Sequence, residues 1–216
     1  MISKHILGSH EEWLLSRKGR IGGSDASALL GLNPYKSNQK LWREKMGYEE
    51  SPDISDKPYV KYGHDAELHL RALFALDYPE YEVFYEDNNL WINDRFPYAH
   101  ASLDGWLRDK DGRLGILEIK TTEIMQSMQK EKWDKRIPDN YFCQCLWYML
   151  VMEADFCILK AQLKYVFSDG IFLQTRHYHI ERDDVEDDIE LLRATAEKFY
   201  KAMQDGKEPA LILPEI

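Results

Sequence analysis

The sequence predicts one α/β or α+β domain, with helices before and after an antiparallel-rich sheet. Three observations carry that reading. Apolar residues recur at helical spacing in the first third and again near the C-terminus. Between these stretches the period falls to two, and Asn-Asp or Asp-Gly pairs separate the apolar runs. A length of 216 residues, with 44% hydrophobic and 31% charged, suits one soluble globular unit over residues 1–216.

Glu11 to Lys18 reads as a short helix, followed by a glycine-rich loop from Gly19 to Gly23. Ser24 or Asp25 then caps a helix that runs through Leu30 and ends at Gly31. Ser37 starts another that stops near Gly47, and residues 49–60, with two prolines, form a loop. Asp65 to Leu76 is a helix burying Ala66, Leu70, Leu73 and Phe74. Tyr81–Tyr85, Leu90–Ile92, Ala101–Arg108 and Arg113–Lys120 read as strands, the last two joined at Asp111-Gly112. A helix from Asp139 to about Glu153 follows Pro138. Phe156–Phe167 and Ile171–Ile180 pair around Ser168-Asp169-Gly170. The last helix is marked by Val185, Ile189, Leu192, Ala196, Phe199 and Met203, and Gly206 and Pro209 close it.

Composition excludes some classes. The longest clean apolar run, Leu146 to Met152, is far short of a membrane span. Three cysteines make no disulfide framework, and Met1 to His5 shows no signal region, so the expected location is the cytoplasm. The net charge of −10 argues less against nucleic acid than it first suggests. Residues 181–190 hold seven carboxylates against one arginine, whereas residues 15–45 hold seven cations against two carboxylates. The local field decides binding, and the acidic run suits a helix N-terminus.

The sharpest chemical feature is Ser102-Leu103-Asp104-Gly105 followed by Leu117-Glu118-Ile119-Lys120. Strand alternation places Glu118 and Lys120 on one face, so carboxylates from neighbouring strands can converge beside a lysine. Hard oxygen ligands of this kind suit magnesium completed by substrate phosphate. The competing reading is a solvent-facing cross-strand salt bridge, which leaves Asp104 unexplained.

With these residues in place, the chain resembles the YqaJ-type phage recombination nucleases, the family of lambda exonuclease, within the PD-(D/E)xK nuclease superfamily. Arg17 through Ala26, with Gly31-Leu32-Asn33-Pro34-Tyr35, resembles the family's opening. Gly63-His64-Asp65-Ala66-Glu67 is similar to its Gly-x-x-x-Glu helix, and Tyr141-Phe142-Cys143-Gln144 to its Tyr-x-x-Gln helix. Leu103 stands where a proline often precedes the aspartate, and Leu146 where a second glutamine is usual.

The resemblance implies a central mixed sheet flanked by helices and a nuclease that degrades linear duplex DNA from phosphorylated 5′ ends, leaving a 3′ single strand. It implies two magnesium ions (Mg2+), with manganese (Mn2+) able to substitute. Asp104, Glu118 and the Ile119 carbonyl would bind metal, Glu67 would complete or orient the site, and Lys120 would activate water. Arg17 and Ser24 would hold the 5′-phosphate, Arg20 would add to that pocket, and Tyr141 and Gln144 would lie near the metals. It also implies a trimeric ring and a single-strand annealing protein as partner. A structure-specific endonuclease or nickase of the same fold, or an inactive DNA-binding relative, are the other readings. Cys143, Cys145 and Cys157 are too few for an iron–sulfur cluster and read as core. His64 reads as a plain helix-start residue, and Trp42, Trp106 and Trp133 mostly as core, without a spacing that marks them for base stacking.

Overall fold

In chain order the described residues, 1–213 of a computed structural model, begin with β1 (Ile2–Ile6), α1 (His10–Ser16), α2 (Gly23–Leu29), α3 (Asn38–Lys45) and α4 (Pro58–Asp77). Then come β2 (Glu82–Phe84), β3 (Asn89–Asn93), β4 (Gly105–Arg108), β5 (Leu114–Glu123) and α5 (Ser127–Glu131). The chain continues through α6 (Asp139–Met152), β6 (Phe156–Phe167), β7 (Gly170–Glu181) and α7 (Arg182–Gln204).

The main sheet has the order β2-β4-β5-β6-β7. Its pairs are antiparallel except β5 with β6, which run parallel because the chain crosses over through α5 and α6. The sheet is therefore mixed, with helices on both faces, as expected. Leu117 and Ile119 of β5 pack with Leu70 and Phe74 of α4 in one cluster, while Ile116 joins the larger cluster with α2, α6 and α7. Strand alternation thus gives β5 two apolar faces, interrupted on one of them by Glu118 and Lys120.

α6 is apolar around most of its circumference, and Cys143 and Cys145 through Met152 are buried, the pattern of a helix packed on several sides. It ends at Glu153, which takes the left-handed conformation at φ 50°. α7 buries Ile189, Leu192, Ala196 and Phe199, and places Asp183 and Asp184 in its first turn, where the helix dipole favours carboxylates. The Asp111-Gly112 hairpin and the Ser168-Asp169 turn fall where expected, with Gly112 at φ 81°.

Several boundaries differ from expectation. α4 starts at Pro58 instead of Asp65, so the loop before it is shorter; Pro58 at the first turn is compatible with helix because its missing N–H needs no partner there. The N-cap of α2 is Gly22, not Ser24 or Asp25. Asp25 lies inside the first turn and accepts from the Gly22 amide at 3.1 Å. The expected strand Ala101–Arg108 begins only at Gly105. Before it, Ala101 bridges Trp91, and His100 donates its amide to the Ile21 carbonyl. β1 and α5 have no counterpart in the sequence reading; β1 pairs only with β3.

Candidate active site

The site forms where β4 leaves β5. These strands pair only from Gly105–Arg108 against Leu114–Leu117, so the next part of β5 has a free edge on that side. Asp104 turns into this fork, and its Oδ2 accepts from the Ile119 amide at 2.8 Å. A strand residue sends its N–H and C=O to the same edge, so the Ile119 carbonyl faces the fork as well. Glu118 and Lys120 share the other face of β5 and meet at 2.5 Å. Glu118 is 1% exposed, so this pair is not a solvent-facing salt bridge. Its Oε2 is buried without a hydrogen-bond partner. Glu67 reaches the same field from α4.

The electrostatics are those of crowded carboxylates. Burial, then Asp104, pushes the Glu118 carboxyl up to about 8, against the pull of Lys120. Burial and then Asp104 likewise push Glu67 up to about 7. Asp104 is raised by burial, with Lys120 and the Ile119 amide opposing. Burial disfavours the Lys120 ammonium, but Glu118 and Asp104 more than offset it and hold it above the usual lysine range. Facing these carboxylates alone, Lys120 is accordingly a charged donor. Among the described residues no three Asp, Glu, His or Cys side chains form a ready metal cage. The site instead offers two carboxylates, an orphaned oxygen and a neighbouring main-chain carbonyl. That set fits magnesium, which keeps several waters and uses one or two protein carboxylates.

Two residues missed in the sequence reading hold the fork. Arg71, one turn after Glu67 and 8% exposed, donates to the Asp104 carbonyl and lies 3.4 Å from the centre of the Tyr85 ring. The i,i+4 spacing of Glu67 and Arg71 on a helix was the available signal. Asn89 clamps Leu103, accepting from its amide and donating to its carbonyl at 2.9 Å each.

α6 brings Tyr141 and Tyr148 to the side of the carboxylates and Lys120. Gln144 donates to the Tyr148 hydroxyl at 3.0 Å, and the field of Glu118 and Asp104 adds to burial in raising that hydroxyl above the normal range. Tyr141 stacks on Trp133, and the Lys120 ammonium lies 5.3 Å from the Tyr141 ring centre. Gly23 lacks a Cβ where one would stand 2.5 Å from the Tyr148 ring, so α2 approaches α6 closely there.

A basic neighbourhood adjoins this side of α6. The Arg17 guanidinium lies 3.9 Å from the Trp13 ring centre, and Arg20 donates to the Ser16 carbonyl at 3.2 Å. Burial lowers the Arg17 pKa, while Tyr148 and Asp25 oppose that shift. Ser24 is exposed in the first turn of α2, and among the described residues its hydroxyl has no hydrogen-bond partner. Lys45 and Lys36 face Asp25 at 2.7 and 3.8 Å. His100 packs against Gly22, its Nδ1 buried without a partner, and burial followed by Arg17 and Lys45 depresses it to about 3.

Other candidates fall outside the site. Trp42 and Trp133 are buried in the core, and all three cysteines are buried and free. His64 is exposed and faces Asp65 at 3.6 Å. A groove of about 750 Å3 lies apart from the carboxylates, between α5 and the β6–β7 hairpin. No described helix is long and apolar enough to cross a membrane.

Known proteins resemble this chain in sequence and in fold. The chain is 28% identical over 221 residues to an uncharacterized protein YqaJ of Bacillus subtilis (strain 168), covering 98% of this chain but 62% of that protein. The fold is similar to that of an alkaline exonuclease, LHK-Exo, from Laribacter hongkongensis, with a TM-score of 0.66 at 20% identity over 91% of this chain and 93% of the other. The same exonuclease in complex with dAMP matches at 0.61, with 19% identity over 90% and 95%. A phage related exonuclease from Haemophilus somnus 129PT matches at 0.51, with 13% identity over 87% and 96%. These likenesses are of fold, a mixed sheet flanked by helices that the chain shares with these exonucleases. Residues 12–155, which span the basic neighbourhood, the carboxylate fork and α6, match the YqaJ-like viral recombinase domain, and the chain belongs to that family.

Proposed function

We propose that the protein is a metal-dependent exonuclease that degrades linear duplex DNA from 5′-phosphorylated ends. The observation that carries this reading is the Asp104–Glu118–Lys120 cluster with its buried, orphaned Glu118 oxygen, next to a basic neighbourhood built around Arg17. Family membership and the exonuclease-like fold support a nuclease; the direction and end preference are what the family resemblance implies.

In this reading Asp104, Glu118 and the Ile119 carbonyl hold magnesium, with Glu67 at the margin. A magnesium ion bound there supplies an acidified water and neutralises charge on the phosphodiester. The protein's own groups do the remainder. Arg71 and Asn89 keep the Asp104 turn in the fork. Lys120, held charged, donates to the attacking water or the phosphate and orients it. Glu67, crowded by burial and Asp104, completes or orients the site from α4. Tyr148 and Gln144 close the cleft from α6. Arg17 offers a planar fork of donors to a terminal phosphate, and the Ser24 hydroxyl stands free for the same ligand. The family reading adds a ring-shaped homotrimer, a cytoplasmic location and a single-strand annealing protein that receives the 3′ overhang.

The test is a substrate panel in magnesium: linear duplex with a 5′-phosphate, the same duplex with a 5′-hydroxyl, and a covalently closed circle. The expected result is fast digestion of the first, slow digestion of the second and none of the circle. Cutting of the circle would instead make the protein an endonuclease or nickase, and no cleavage with magnesium or manganese would leave a DNA-binding relative.

A further inference from the structure

We propose that Trp13 is the positioning residue that sets Arg17 for the 5′-phosphate, by tying its guanidinium to the chain that carries Asp104. The proposal rests on the reading of Arg17 as the phosphate ligand. α1 has no fully buried side chain, and its Leu14 and Leu15 are exposed. Among the described residues, the side-chain hydrogen bonds that tie α1 to the fold beyond its flanking loops come from the Trp13 indole. Its Nε1 donates to the Asn89 carbonyl and to the Ser102 hydroxyl, at 3.1 Å each. Both acceptors lead directly to the fork: Ser102 is two residues before Asp104, and Asn89 clamps Leu103 between them.

The same indole carries Arg17, whose guanidinium carbon lies 3.9 Å from its ring centre, and His10 stacks with it at 5.1 Å and 25°. His10, Trp13 and Arg17 stand at i, i+3 and i+7, one face of the helix and its cap. Stacking engages the flat face of a guanidinium and leaves its N–H edges free, and those edges are what a phosphate binds. Arg17 sits at the C-cap, just before the chain turns at Gly19 with φ 74°, so its direction follows how α1 is docked. Trp13 therefore sets the distance between the terminal phosphate and the carboxylates, and with it which phosphodiester reaches them.

A tryptophan that only packs would, when replaced, weaken every DNA complex alike. A positioning residue changes the preference between ends. The measurement is the affinity of full-length protein for a duplex with a 5′-phosphate and for its 5′-hydroxyl twin, in EDTA so that nothing is cleaved. Wild type, Arg17→Ala, Trp13→Phe and Trp13→Leu are compared. Wild type should prefer the phosphorylated end, and Arg17→Ala should lose that preference. Trp13→Leu, without ring or donor, should reduce the preference on the order of tenfold. Trp13→Phe, which keeps the ring and loses the tether, should fall between, and it guards against poor folding of the leucine variant. The proposal is overturned if Arg17→Ala abolishes the preference while both Trp13 variants keep it, or if they weaken both ends equally. Absence of any preference in wild type would overturn the 5′-phosphate reading itself, and this proposal with it.

Discussion

Replacing His100 with glutamine should flatten the acid side of the stability curve. The imidazole is 2% exposed and stands among Arg17, Lys45, Arg20 and Asp25, so protonating it in place is opposed by burial and by three cations. Its pKa of about 3 in the fold compares with 6.5 in an unperturbed chain. A lowered folded value means that stability is intact above the unfolded pKa and is lost as pH falls below it, because the unfolded chain takes the proton first. Each unit of pH below 6.5 then costs about 1.4 kcal/mol, or about 3 kcal/mol between pH 7.5 and pH 4.5. Glutamine cannot titrate, so this loss disappears in His100→Gln. Carboxylates titrate over part of the same range in both proteins, which makes the difference between the two curves the informative quantity. Urea unfolding followed by circular dichroism at pH 7.5, 6.5, 5.5 and 4.5 gives that difference. The variant starts less stable at pH 7.5, having lost the packing against Gly22, and the gap should close by about 3 kcal/mol at pH 4.5. Parallel curves would refute the claim that His100 is held neutral in a cationic neighbourhood.

Glu118→Gln removes one of two crowded carboxylates and leaves Lys120 to Asp104; urea unfolding in EDTA at pH 8.5 should show it at least as stable as wild type, by on the order of 1 kcal/mol. The same variant should lose the stabilisation that 10 mM magnesium, an amount chosen as roughly saturating, gives the wild type by binding the native state alone. Gly23→Ala places a Cβ 2.5 Å from the Tyr148 ring, so it should destabilise by about 1–3 kcal/mol and lower nuclease rate beyond the folded fraction lost. Ser24→Ala, at an exposed position that does not cap its helix, should change the unfolding free energy by less than about 0.5 kcal/mol while slowing digestion of 5′-phosphorylated ends.

The parts of this architecture that sequence reasoning reached are those with local signals. β5 was readable because Glu118 and Lys120 interrupt an apolar alternation, and α7 because its apolar residues keep helical spacing between an acidic start and Gly206. β1 gave no signal because Ser3, Lys4 and His5 fill an edge strand paired with β3 alone. The first turns of α4 were hidden because the helix buries no side chain fully before Leu70, and a proline there looks like loop until its N1 position is seen. The carboxylates were found by pattern, but their supports were not. Arg71 meets Asp104 33 residues away, and Trp13 meets Ser102 89 residues away. A partner that distant leaves no spacing to read. Ser24 shows the opposite error: a residue type suited to capping was assigned the cap, when two glycines let the helix begin earlier, against His100 and Tyr148.

The most direct test of the central claim follows both ends of one 5′-phosphorylated linear duplex carrying distinct labels at the 5′ and 3′ termini of the same strand, in magnesium, with wild type and Lys120→Ala. The account predicts early release of the 5′ label from wild type, later release of the 3′ label, and at least a hundredfold loss of both in the variant, the order expected for a group acting in the transition state. Release of the 3′ label first, or undiminished hydrolysis by Lys120→Ala, would contradict it.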